Sequence, residues 1–354
     1  MPKMKIFYDS QIFMLQKFGG ISRYFCELIK HSNGLFDYSV GGIFSDNHYA
    51  CELGFHKPFP LKRNFKGKWH LLKLLNKRDS IKKSKDNCDV IHPTYYDDYL
   101  VNKIDKPLVI TVYDMIHELF PTRFANCPNK KKLLDSSAKI IAISQNTKND
   151  ILKFHSQISE EKISVIYLGT SWDILESKEK QNYILFTGDR AFYKNFNNFI
   201  YAVAPLLIKY NLQLKCTGKP FTNSETASLK QQKIFDRTSI QFANEDELKK
   251  LYANALCFVF PSLYEGFGIP ILEAFACGCP LVLSNTSCFP EIASNAGLYF
   301  EPESIDDMRE KIEGVICSES LRKALASKGF ERLKAFSWRQ CAEQTTKVYE
   351  NCIL

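Results

Sequence analysis

The chain has 354 residues, of which 45% are hydrophobic and 24% charged, and its formal net charge is +8. This composition is that of an ordinary globular protein and excludes a collagen, a coiled coil and a disordered chain. Because this length exceeds what one hydrophobic core usually supports, we expect two domains.

Export and metal binding are not expected from the sequence. Residues 1–8 hold two lysines and an apolar stretch too short for a secretory signal, and no apolar run approaches the ~20 residues that cross a bilayer. We therefore expect a cytoplasmic protein. The twelve cysteines are scattered, and the one close pair, Cys277 and Cys279, lacks metal-site spacing, so we expect reduced thiols.

Short β-branched runs alternate with longer helical stretches along the chain, which predicts βαβ units and parallel sheets. The predicted strands are 5–8, 89–92, 108–113, 140–143 and 163–167 in the first half, then 183–187, 213–216, 239–242, 257–260, 281–283 and 298–300. The predicted helices include 21–30, 198–209, 246–255, 305–315 and 337–350.

We interpret this pattern as an α/β fold with two doubly wound Rossmann-like domains, 1–168 and 183–335, facing across a cleft. The polar stretch 169–182 is the predicted linker, and 336–354 is predicted to pack back on the first domain. Ligands of such sheets bind beyond the carboxyl ends of the strands, where we expect the site.

The first loop of interest carries Gly19 and Gly20, after the first strand and before an amphipathic helix that contains Arg23. Two glycines there permit close approach of the backbone to a ligand. A tight turn with a purely structural role is the alternative.

A basic segment follows, with eleven Lys or Arg against two Asp between His56 and Asp86. Within it, 63–85 combines Trp69 and several leucines with lysines, a composition typical of a helix at an anionic membrane surface. The alternative is a solvated helix whose leucines pack on the domain core. No nucleic-acid-binding signature accompanies the charge, so we expect no nucleic-acid partner.

In the second domain, Arg190 and Lys194 follow the first strand closely enough to converge on one anion. Arginine offers a fork for phosphate oxygens and lysine a point charge. Two solvated loop cations are the alternative. Replacement of Arg190 by alanine is expected to lower turnover with little effect on folding.

The strongest pattern is Glu265-Gly266-Phe267-Gly268, with Glu273 in the helix that follows. A glycine-rich turn at a helix N-terminus points backbone N–H groups at a negative ligand, here a diphosphate. The two carboxylates suit neighbouring sugar hydroxyls, one on a hexose and one on a ribose. A plain strand, turn and helix is the alternative.

These residues resemble the signature of family 4 of the retaining glycosyltransferases, which have the GT-B fold, and the resemblance covers most of the chain. It implies that Glu265 lies by the donor sugar, that Glu273 binds the ribose, and that the backbone of 266–268 contacts the donor. It also implies that Arg190 and Lys194 neutralise the leaving diphosphate, so that no metal or other cofactor is expected.

The same resemblance extends to other loops. It implies that the Gly19-Gly20 loop closes over the donor phosphate and the acceptor, and that Phe242 begins the turn that contacts the nucleobase. Asp114 is our candidate to touch the donor sugar or orient the acceptor, although Tyr113 stands where relatives carry histidine. The remaining acceptor-side candidates are Arg23, His92 and His117, and for the two histidines a structural role is the alternative.

The resemblance therefore implies a retaining, metal-independent transfer of a hexose from a UDP- or GDP-sugar to a saccharide or lipid-linked saccharide in polysaccharide or lipopolysaccharide synthesis. The enzyme would be cytoplasmic and peripheral at the inner membrane face, through 63–85. The alternatives are a sugar-nucleotide epimerase or phosphorylase of the same fold, and an inactive scaffold that binds sugar nucleotides.

Overall fold

A computed structural model describes residues 3–60, 67–86, 88–124, 130–175, 177 and 179–353. The chain forms two compact units, the first made of Met1–Gly169 with Ser337–Leu354 and the second of Thr170–Phe336. Among the described residues, none of the helices combines the length and the apolar character needed to span a bilayer.

The first unit is a parallel α/β layer structure. Its strands are β1 (Lys5–Tyr8), β2 (Asp37–Val40), β3 (Val90–His92), β4 (Val109–Val112), β5 (Lys139–Ala142) and β6 (Ile163–Val165). Its helices are α1 (Gln11–Leu15), α2 (Gly20–Lys30), α3 (His48–Glu52), α4 (Lys68–Ser84), α5 (Ile116–Leu119), α6 (Lys130–Ser136), α7 (Gln145–Phe154) and, from the C-terminal segment, α15 (Trp338–Glu350). The strands pair in the orders β2-β1-β3 and β4-β5-β6, and a parallel bridge from Ile91 to Leu108 joins the two groups.

The second unit holds one six-stranded parallel sheet with the order β12-β11-β10-β7-β8-β9. The strands are β7 (Tyr183–Phe186), β8 (Gln213–Thr217), β9 (Thr238–Gln241), β10 (Cys257–Phe260), β11 (Leu281–Ser284) and β12 (Gly297–Phe300). The helices are α8 (Phe196–Lys209), α9 (Asn223–Gln231), α10 (Glu245–Asn254), α11 (Ile269–Ala276), α12 (Phe289–Ala293), α13 (Ile305–Cys317) and α14 (Glu319–Leu333). The predicted α/β class with two Rossmann-like domains is confirmed.

Burial explains why the central strands of the second unit are nearly continuous apolar runs. Every residue of β7, β10 and β11 is buried, because helices cover both faces of a parallel sheet. In contrast, β9 lies at the edge of the sheet and alternates between half-buried and exposed residues. The order of strands reverses between β7 and β10, and this switch point is where open α/β sheets bind ligands.

Strand β2 was not predicted, and its burial gives the reason. Its four residues are exposed or half-buried, so the sequence lacks the apolar run that marks the inner strands. It joins the sheet through backbone pairing with β1 alone. An edge strand of this kind leaves no hydrophobic pattern to detect.

Most of the described part of 169–182, the predicted linker, packs within the second unit. Trp172 is buried, and its ring contacts that of Tyr252 at a centroid distance of 5.9 Å. Lys180 Nζ donates to the carbonyls of Ala253 and Gly278. The boundary between the units accordingly falls between Gly169 and Thr170.

Helix α4 packs on the rest of the first unit through a mainly polar face. Its buried residues are Asn76, Ser80 and Ser84, and Asn76 Oδ1 accepts hydrogen bonds from the backbone N–H groups of Ile43 and Phe44. Ile81 packs on the core of the first unit, but other apolar side chains of the helix are exposed. Exposed fractions are 47% for Trp69, 40% for Leu71 and 47% for Leu74.

The alternative that the leucines of this helix pack on the domain core is therefore wrong for Leu71 and Leu74. Hydrogen bonds to backbone groups help to hold the helix in place, while Leu71, Leu74 and several lysines lie on the outside. The beginning of the predicted basic segment, 63–66, lies outside the described residues.

Candidate functional site

The two motifs of the second unit lie beside each other at the switch point of its sheet. The loop with Arg190 and Lys194 follows β7, and the loop with Glu265 follows β10. Strands β7 and β10 are neighbours in the sheet, so both loops leave the same carboxyl edge.

Lys194 and Glu265 form an ion pair across these loops. Lys194 Nζ lies 2.5 Å from Glu265 Oε1, and the two side chains are only 16% and 15% exposed. Burial alone would lower the pKa of Lys194, but the negative charge of Glu265, together with Tyr193 and Asp189, outweighs burial and raises that pKa above its usual value. Lys194 is therefore a cation at neutral pH, held at the switch point.

The Glu265 loop is held in one conformation by further contacts. Ser262 Oγ donates to Glu265 Oε1 at 2.7 Å, and the Glu265 N–H donates to Ser287 Oγ at 3.2 Å. The Leu263 N–H donates to the Tyr193 carbonyl at 2.7 Å, which ties this loop to the loop after β7. The carboxylate is consequently positioned before any ligand arrives.

The glycine-rich turn leads directly into α11. Gly268 has φ +85°, a left-handed conformation that favours glycine, and it stands immediately before the first residue of the helix. The Phe267 side chain is buried and packs edge-on against Phe336 at a centroid distance of 5.9 Å. A ligand at this turn would therefore meet the backbone of 266–268, and contact of that backbone with the donor stays a prediction.

Arg190 is held mainly by protein groups. Its Nε donates to Glu225 Oε1 at 2.7 Å, and its Nη2 donates to the carbonyls of Lys219 and Pro220. The guanidinium also lies over the Phe221 ring at 5.0 Å. Its buried Nη1 has no hydrogen-bond partner among the described residues. One donor of Arg190 is therefore left for a ligand, while the other contacts are structural.

The structure thus pairs the two predicted cations with different carboxylates. Lys194 contacts Glu265, while Arg190 contacts Glu225. The alternative of two solvated loop cations does not describe either residue, since the side chains of Lys194 and Arg190 are 16% and 5% exposed.

Glu273 lies on a buried face of α11, not on its solvent face. It is 9% exposed, and the Tyr252 hydroxyl donates to its Oε2 at 3.4 Å. The same hydroxyl lies 3.0 Å from Thr187 Oγ1 at the end of β7. Glu273 is therefore not a solvated helix glutamate, and it is linked to the loop that leads to Lys194.

Phe242 stands immediately after β9, and 75% of its surface is exposed. Two residues later, Asn244 caps the start of α10 in a capping box. Its side chain accepts from the Glu247 N–H, and its own N–H donates to the Glu247 carboxylate. Such a cap fixes the direction in which the chain enters the helix. An exposed aromatic ring therefore stands on an ordered turn at the carboxyl edge of the sheet.

In the first unit, Gly19 immediately precedes α2, which begins at Gly20. A Cβ atom at Gly19 would lie 2.2 Å from Gln16 Oε1, and that oxygen accepts a hydrogen bond from the Ser22 N–H at 3.1 Å. A side chain at Gly19 would displace the Gln16 amide, which caps the first turn of the helix. Arg23 lies in the first turn of α2 and is half-buried.

His92 is placed in the interior and not at a ligand surface. It is fully buried, its Nδ1 lies 2.6 Å from Tyr349 Oη, and its Nε2 lies 2.9 Å from Thr111 Oγ1. Burial lowers the pKa of His92 to about 3, so the ring is neutral at physiological pH. We correct its assignment from acceptor-side candidate to structural residue, because both ring nitrogens already have protein partners.

Asp114 and His117 lie beyond the end of β4, next to a buried lysine that sequence reasoning missed. Lys130 Nζ donates to the Asp114 carbonyl at 2.8 Å and to Glu118 Oε2 at 2.9 Å. The Asp114 carboxylate is one-third exposed. Burial, followed by the charge of Lys130, lowers the pKa of His117. Asp114 and His117 thus remain candidates, and Lys130 holds their loop.

A second missed residue is Asp9, the first residue after β1. Its fully buried carboxylate accepts from the Thr94 N–H at 2.9 Å and from the Thr94 hydroxyl at 2.6 Å. These bonds connect the chain after β1 to the chain after β3. Its position directly after a buried strand could have marked Asp9 as a candidate site residue. Its contacts show a structural role instead, because they hold two loops together.

Comparisons with known proteins agree with this architecture. Residues 170–332 match the family described as glycosyl transferases group 1, and residues 18–171 match Glycosyltransferase Family 4. Over 212 residues the chain is 32% identical to the O-antigen chain mannosyltransferase RfbU of Salmonella typhimurium. The aligned region makes up 58% of this chain and 60% of the relative. Over 109 residues it is 40% identical to O-antigen chain mannosyltransferase B of Escherichia coli, covering 31% and 29%.

A solved structure shows the same fold at low identity. Anabaena Alr3699/HepE, in complex with UDP and glucose, has a TM-score of 0.76 and 16% identity to this chain, over 98% of this chain and 99% of that one. Two parallel Rossmann-like sheets with this likeness define the fold of the GT-B glycosyltransferases. The two family matches together extend from residue 18 to residue 332. The chain therefore belongs to glycosyltransferase family 4, and the resemblance drawn from its motifs is confirmed.

The matched regions make up less than two thirds of either O-antigen relative, 29% and 60% of their lengths.

Proposed function

We propose that the protein transfers a hexosyl group, of the mannose type, from a nucleoside diphosphate sugar to a saccharide acceptor in cell-surface polysaccharide assembly. The sugar and the process follow the names of the two O-antigen relatives. The proposed reaction retains the anomeric configuration and uses no metal ion. The observation that carries the proposal is the Lys194–Glu265 pair at the switch point of the second sheet.

The leaving diphosphate is the centre of the proposed mechanism. As the bond between C1 and the phosphate oxygen breaks, negative charge grows on the phosphate, and fixed cations stabilise that state more than the ground state. Lys194 supplies one such charge. The unpartnered Nη1 of Arg190 supplies a donor, and the backbone N–H groups at the start of α11 supply others.

Glu265 is the proposed partner of the donor sugar. Both of its side-chain hydrogen bonds within the described chain end on Oε1, from Lys194 and Ser262. Its Oε2 is thereby left to accept from a sugar hydroxyl. A diphosphate that draws Lys194 towards itself would also free Oε1, so donor binding and the position of this carboxylate are coupled.

Retention of configuration requires the acceptor oxygen to attack C1 from the face that the phosphate leaves. In the proposed step the new bond from C1 to the acceptor oxygen forms as the bond to the phosphate oxygen breaks. The acceptor proton passes to that phosphate oxygen. No protein base is needed for this balance of bonds and protons.

The nucleoside is proposed to lie along the rest of the same carboxyl edge. Glu273, oriented by Tyr252, suits the two hydroxyls of a ribose. The exposed ring of Phe242 offers a π-face to a base. Neither contact selects between uracil and guanine, so the proposal covers UDP- and GDP-sugars.

The acceptor is assigned to the first unit. Asp114 and His117 follow the carboxyl end of β4, in a loop and the short helix α5 that Lys130 holds in place. We propose that the one-third exposed carboxylate of Asp114 orients the acceptor saccharide.

Contact with an anionic membrane surface is proposed for the outer face of α4. This face presents Trp69, Leu71 and Leu74 together with lysines. Exposed aromatic and aliphatic side chains among cations are the combination that binds headgroups and the acyl boundary. Such contact would bring the enzyme to a lipid-linked acceptor.

The test is a panel of UDP-, GDP- and ADP-sugars incubated with the purified chain and a mixture of saccharide acceptors. Release of nucleoside diphosphate is measured with and without EDTA. We expect one donor to be turned over at a rate that EDTA leaves unchanged. The anomeric configuration of the product, determined by NMR, is expected to match that of the donor.

Other outcomes separate the alternatives. Conversion of a nucleotide sugar without any acceptor would indicate an epimerase, and tight binding without turnover would indicate a scaffold. Loss of release in EDTA would contradict the role proposed for Lys194 and Arg190. An inverted product would contradict the same-face step while leaving glycosyl transfer intact.

A further inference from the structure

The first unit contains a pocket at the carboxyl ends of β1 and β3, beneath α4. Its enclosed volume is about 90 Å³, and about 480 Å³ when the space of the open mouth is counted. Strands β1 and β3 are neighbours in the sheet although β2 comes between them in the chain. The pocket therefore lies at the switch point of the first sheet, the position where open α/β sheets hold ligands.

The floor of the pocket presents mainly carbon. Ser10 Oγ lies 3.3 Å from Ser80 Oγ. The Gln11 side chain donates to the Asp97 carbonyl at 2.9 Å and accepts from the Asp97 N–H at 2.7 Å. These polar groups are occupied by protein partners, and the accessible lining is almost entirely apolar.

The walls are apolar and aromatic as well. Met14, Tyr95 and Tyr99 line the pocket, and Leu15 and Trp69 stand at its mouth with 52% and 47% of their surfaces exposed. A sugar needs several converging polar groups, which such walls do not provide. An alkyl or isoprenyl chain needs only apolar surface to leave water.

The rim adds positive charge to this apolar pocket. Lys73 Nζ and Lys77 Nζ share the carboxylate of Asp97, at 3.4 Å and 3.9 Å. Two cations around one carboxylate leave one positive charge in excess. Lys73 also lies over the Trp69 ring at 5.5 Å, so charge and apolar surface meet at the mouth.

We propose that this pocket binds the apolar chain of a phosphate-bearing lipid, with Lys73 and Lys77 receiving the phosphate oxygens. The apolar lining matches an isoprenyl or alkyl chain, and the excess positive charge at the mouth matches an anionic head. The biological role of this site as the holder of a lipid-linked acceptor rests on the proposed transferase function. Binding itself does not depend on it.

The probe is farnesyl phosphate, used below its micellar concentration with the full chain and without any nucleotide sugar. Isothermal titration calorimetry is expected to show saturable binding. Farnesol tests the isoprenyl chain without the phosphate group, and inorganic phosphate tests the phosphate group without the isoprenyl chain. We expect both to bind at least about tenfold more weakly than farnesyl phosphate.

Two substitutions distinguish the pocket from the outer surface of α4. Met14→Trp fills the pocket and is expected to weaken farnesyl phosphate binding at least about tenfold. Leu74→Ser changes an exposed residue of α4 outside the lining and is expected to leave this binding unchanged. Leu15→Ser, at the exposed mouth, is the second pocket variant should thermal melting show that Met14→Trp is misfolded.

Several results would overturn the proposed binding site. They are no binding of farnesyl phosphate, equal affinity for farnesyl phosphate and inorganic phosphate, unchanged affinity in folded pocket variants, or an equal loss of affinity in Leu74→Ser and the pocket variants. Failure of the transferase is separate, because it is measured as nucleoside diphosphate release. Farnesyl phosphate binding without release would retain the pocket and reject the transfer reaction, and the reverse result would reject only the pocket.

Discussion

Lys194 is the residue on which the proposed mechanism depends most. Lys194→Met keeps the length of the side chain and removes its charge, so the leaving diphosphate loses its nearest cation. We expect the turnover number to fall by about 10²- to 10³-fold, the range seen when one preorganised stabilising group is removed. Steady-state release of nucleoside diphosphate measures the effect.

The matched control is Lys323→Met. Lys323 pairs with Glu319 at 2.7 Å, but both side chains are mostly exposed, at 77% and 69%. Exposed ion pairs contribute little, so turnover should be unchanged. A Lys194→Met enzyme that works within twofold of the parent would remove this lysine from the mechanism.

Arg190 has a structural role that the sequence did not indicate. The expectation that Arg190→Ala leaves folding almost unaffected is replaced by a different one, because the substitution removes the ion pair with Glu225 and two hydrogen bonds to carbonyls. It also leaves the largely buried Glu225 carboxylate without its cationic partner. We expect a loss of about 2–4 kcal/mol in the free energy of unfolding, measured by urea denaturation at pH 7.

The pH dependence of this loss has a defined sign. Burial would raise the pKa of Glu225, but hydrogen bonds from Thr222 and Arg190 outweigh it and place the pKa below its usual value of 4.5. A carboxylate with a lowered folded-state pKa stabilises the fold above pH 4.5, and this stabilisation disappears as the pH falls through the folded-state value. The difference between parent and Arg190→Ala should therefore narrow below pH 4.5. A constant difference from pH 7 to pH 3 would show that the ion pair is not its source.

At this scale, the sequence identified residue types better than their partners. Glu265, Glu273 and Lys194 were recognisable from spacing around a buried strand and a glycine turn. The pairing of Arg190 with Glu225 was not, because Glu225 lies 35 positions away and belongs to the first turn of α9. Lys130 was missed for the same reason, since its partners Asp114 and Glu118 precede it by 16 and 12 positions.

The turn before α11 is the element that sets the donor side of the site. Gly268 has φ +85°, and a Cβ there would lie 3.1 to 3.3 Å from Ile271, Phe289 and Phe260. Gly268→Ala should therefore cost about 1–3 kcal/mol in stability, the cost of a residue held in this backbone region. Because the start of α11 would shift, affinity for the nucleoside diphosphate should fall as well.

Gly314→Ala provides the comparison within another helix of the same unit. Nothing lies within 4 Å of a Cβ at Gly314 in α13, and alanine favours a helix interior over glycine by about 0.5–1 kcal/mol. The melting temperature should therefore rise for Gly314→Ala and fall for Gly268→Ala. Affinity for the nucleoside diphosphate should fall only for Gly268→Ala. Equal melting temperatures and affinities for the two variants would contradict the role of the turn.

Elements with a buried apolar pattern were predictable, and elements that depend on backbone or polar contacts were not. Strands β1 and β10 have the predicted bounds, because their apolar runs are bounded by polar or turn residues. Strand β2 has no such run. Helix α4 was recognised as a helix, but the face it buries could not be assigned. Its buried face is polar, and the backbone groups that Asn76 contacts lie more than 30 positions earlier in the chain.

At the scale of the whole molecule, exposed apolar side chains and positive charge coincide on α4. Trp69, Leu71 and Leu74 are each at least 40% exposed. The basic excess of the chain falls on the same stretch of sequence, between His56 and Asp86. Apolar surface and positive charge together favour an anionic bilayer, where each cation near the surface contributes about 1 kcal/mol.

The corresponding prediction uses Leu71→Ser with Leu74→Ser, a pair outside both the donor site and the farnesyl phosphate pocket. Sedimentation with vesicles of anionic lipid should bring down the parent chain at low salt, and less of it at high salt because screening weakens the electrostatic part. The double variant should bind at least about fivefold more weakly. Its turnover with a soluble acceptor should equal that of the parent, since neither leucine is placed near the reacting groups. Equal sedimentation of parent and variant would mean that charge alone holds the protein to the vesicle. Equal sedimentation with neutral and anionic vesicles would mean that the lysines do not contribute to binding.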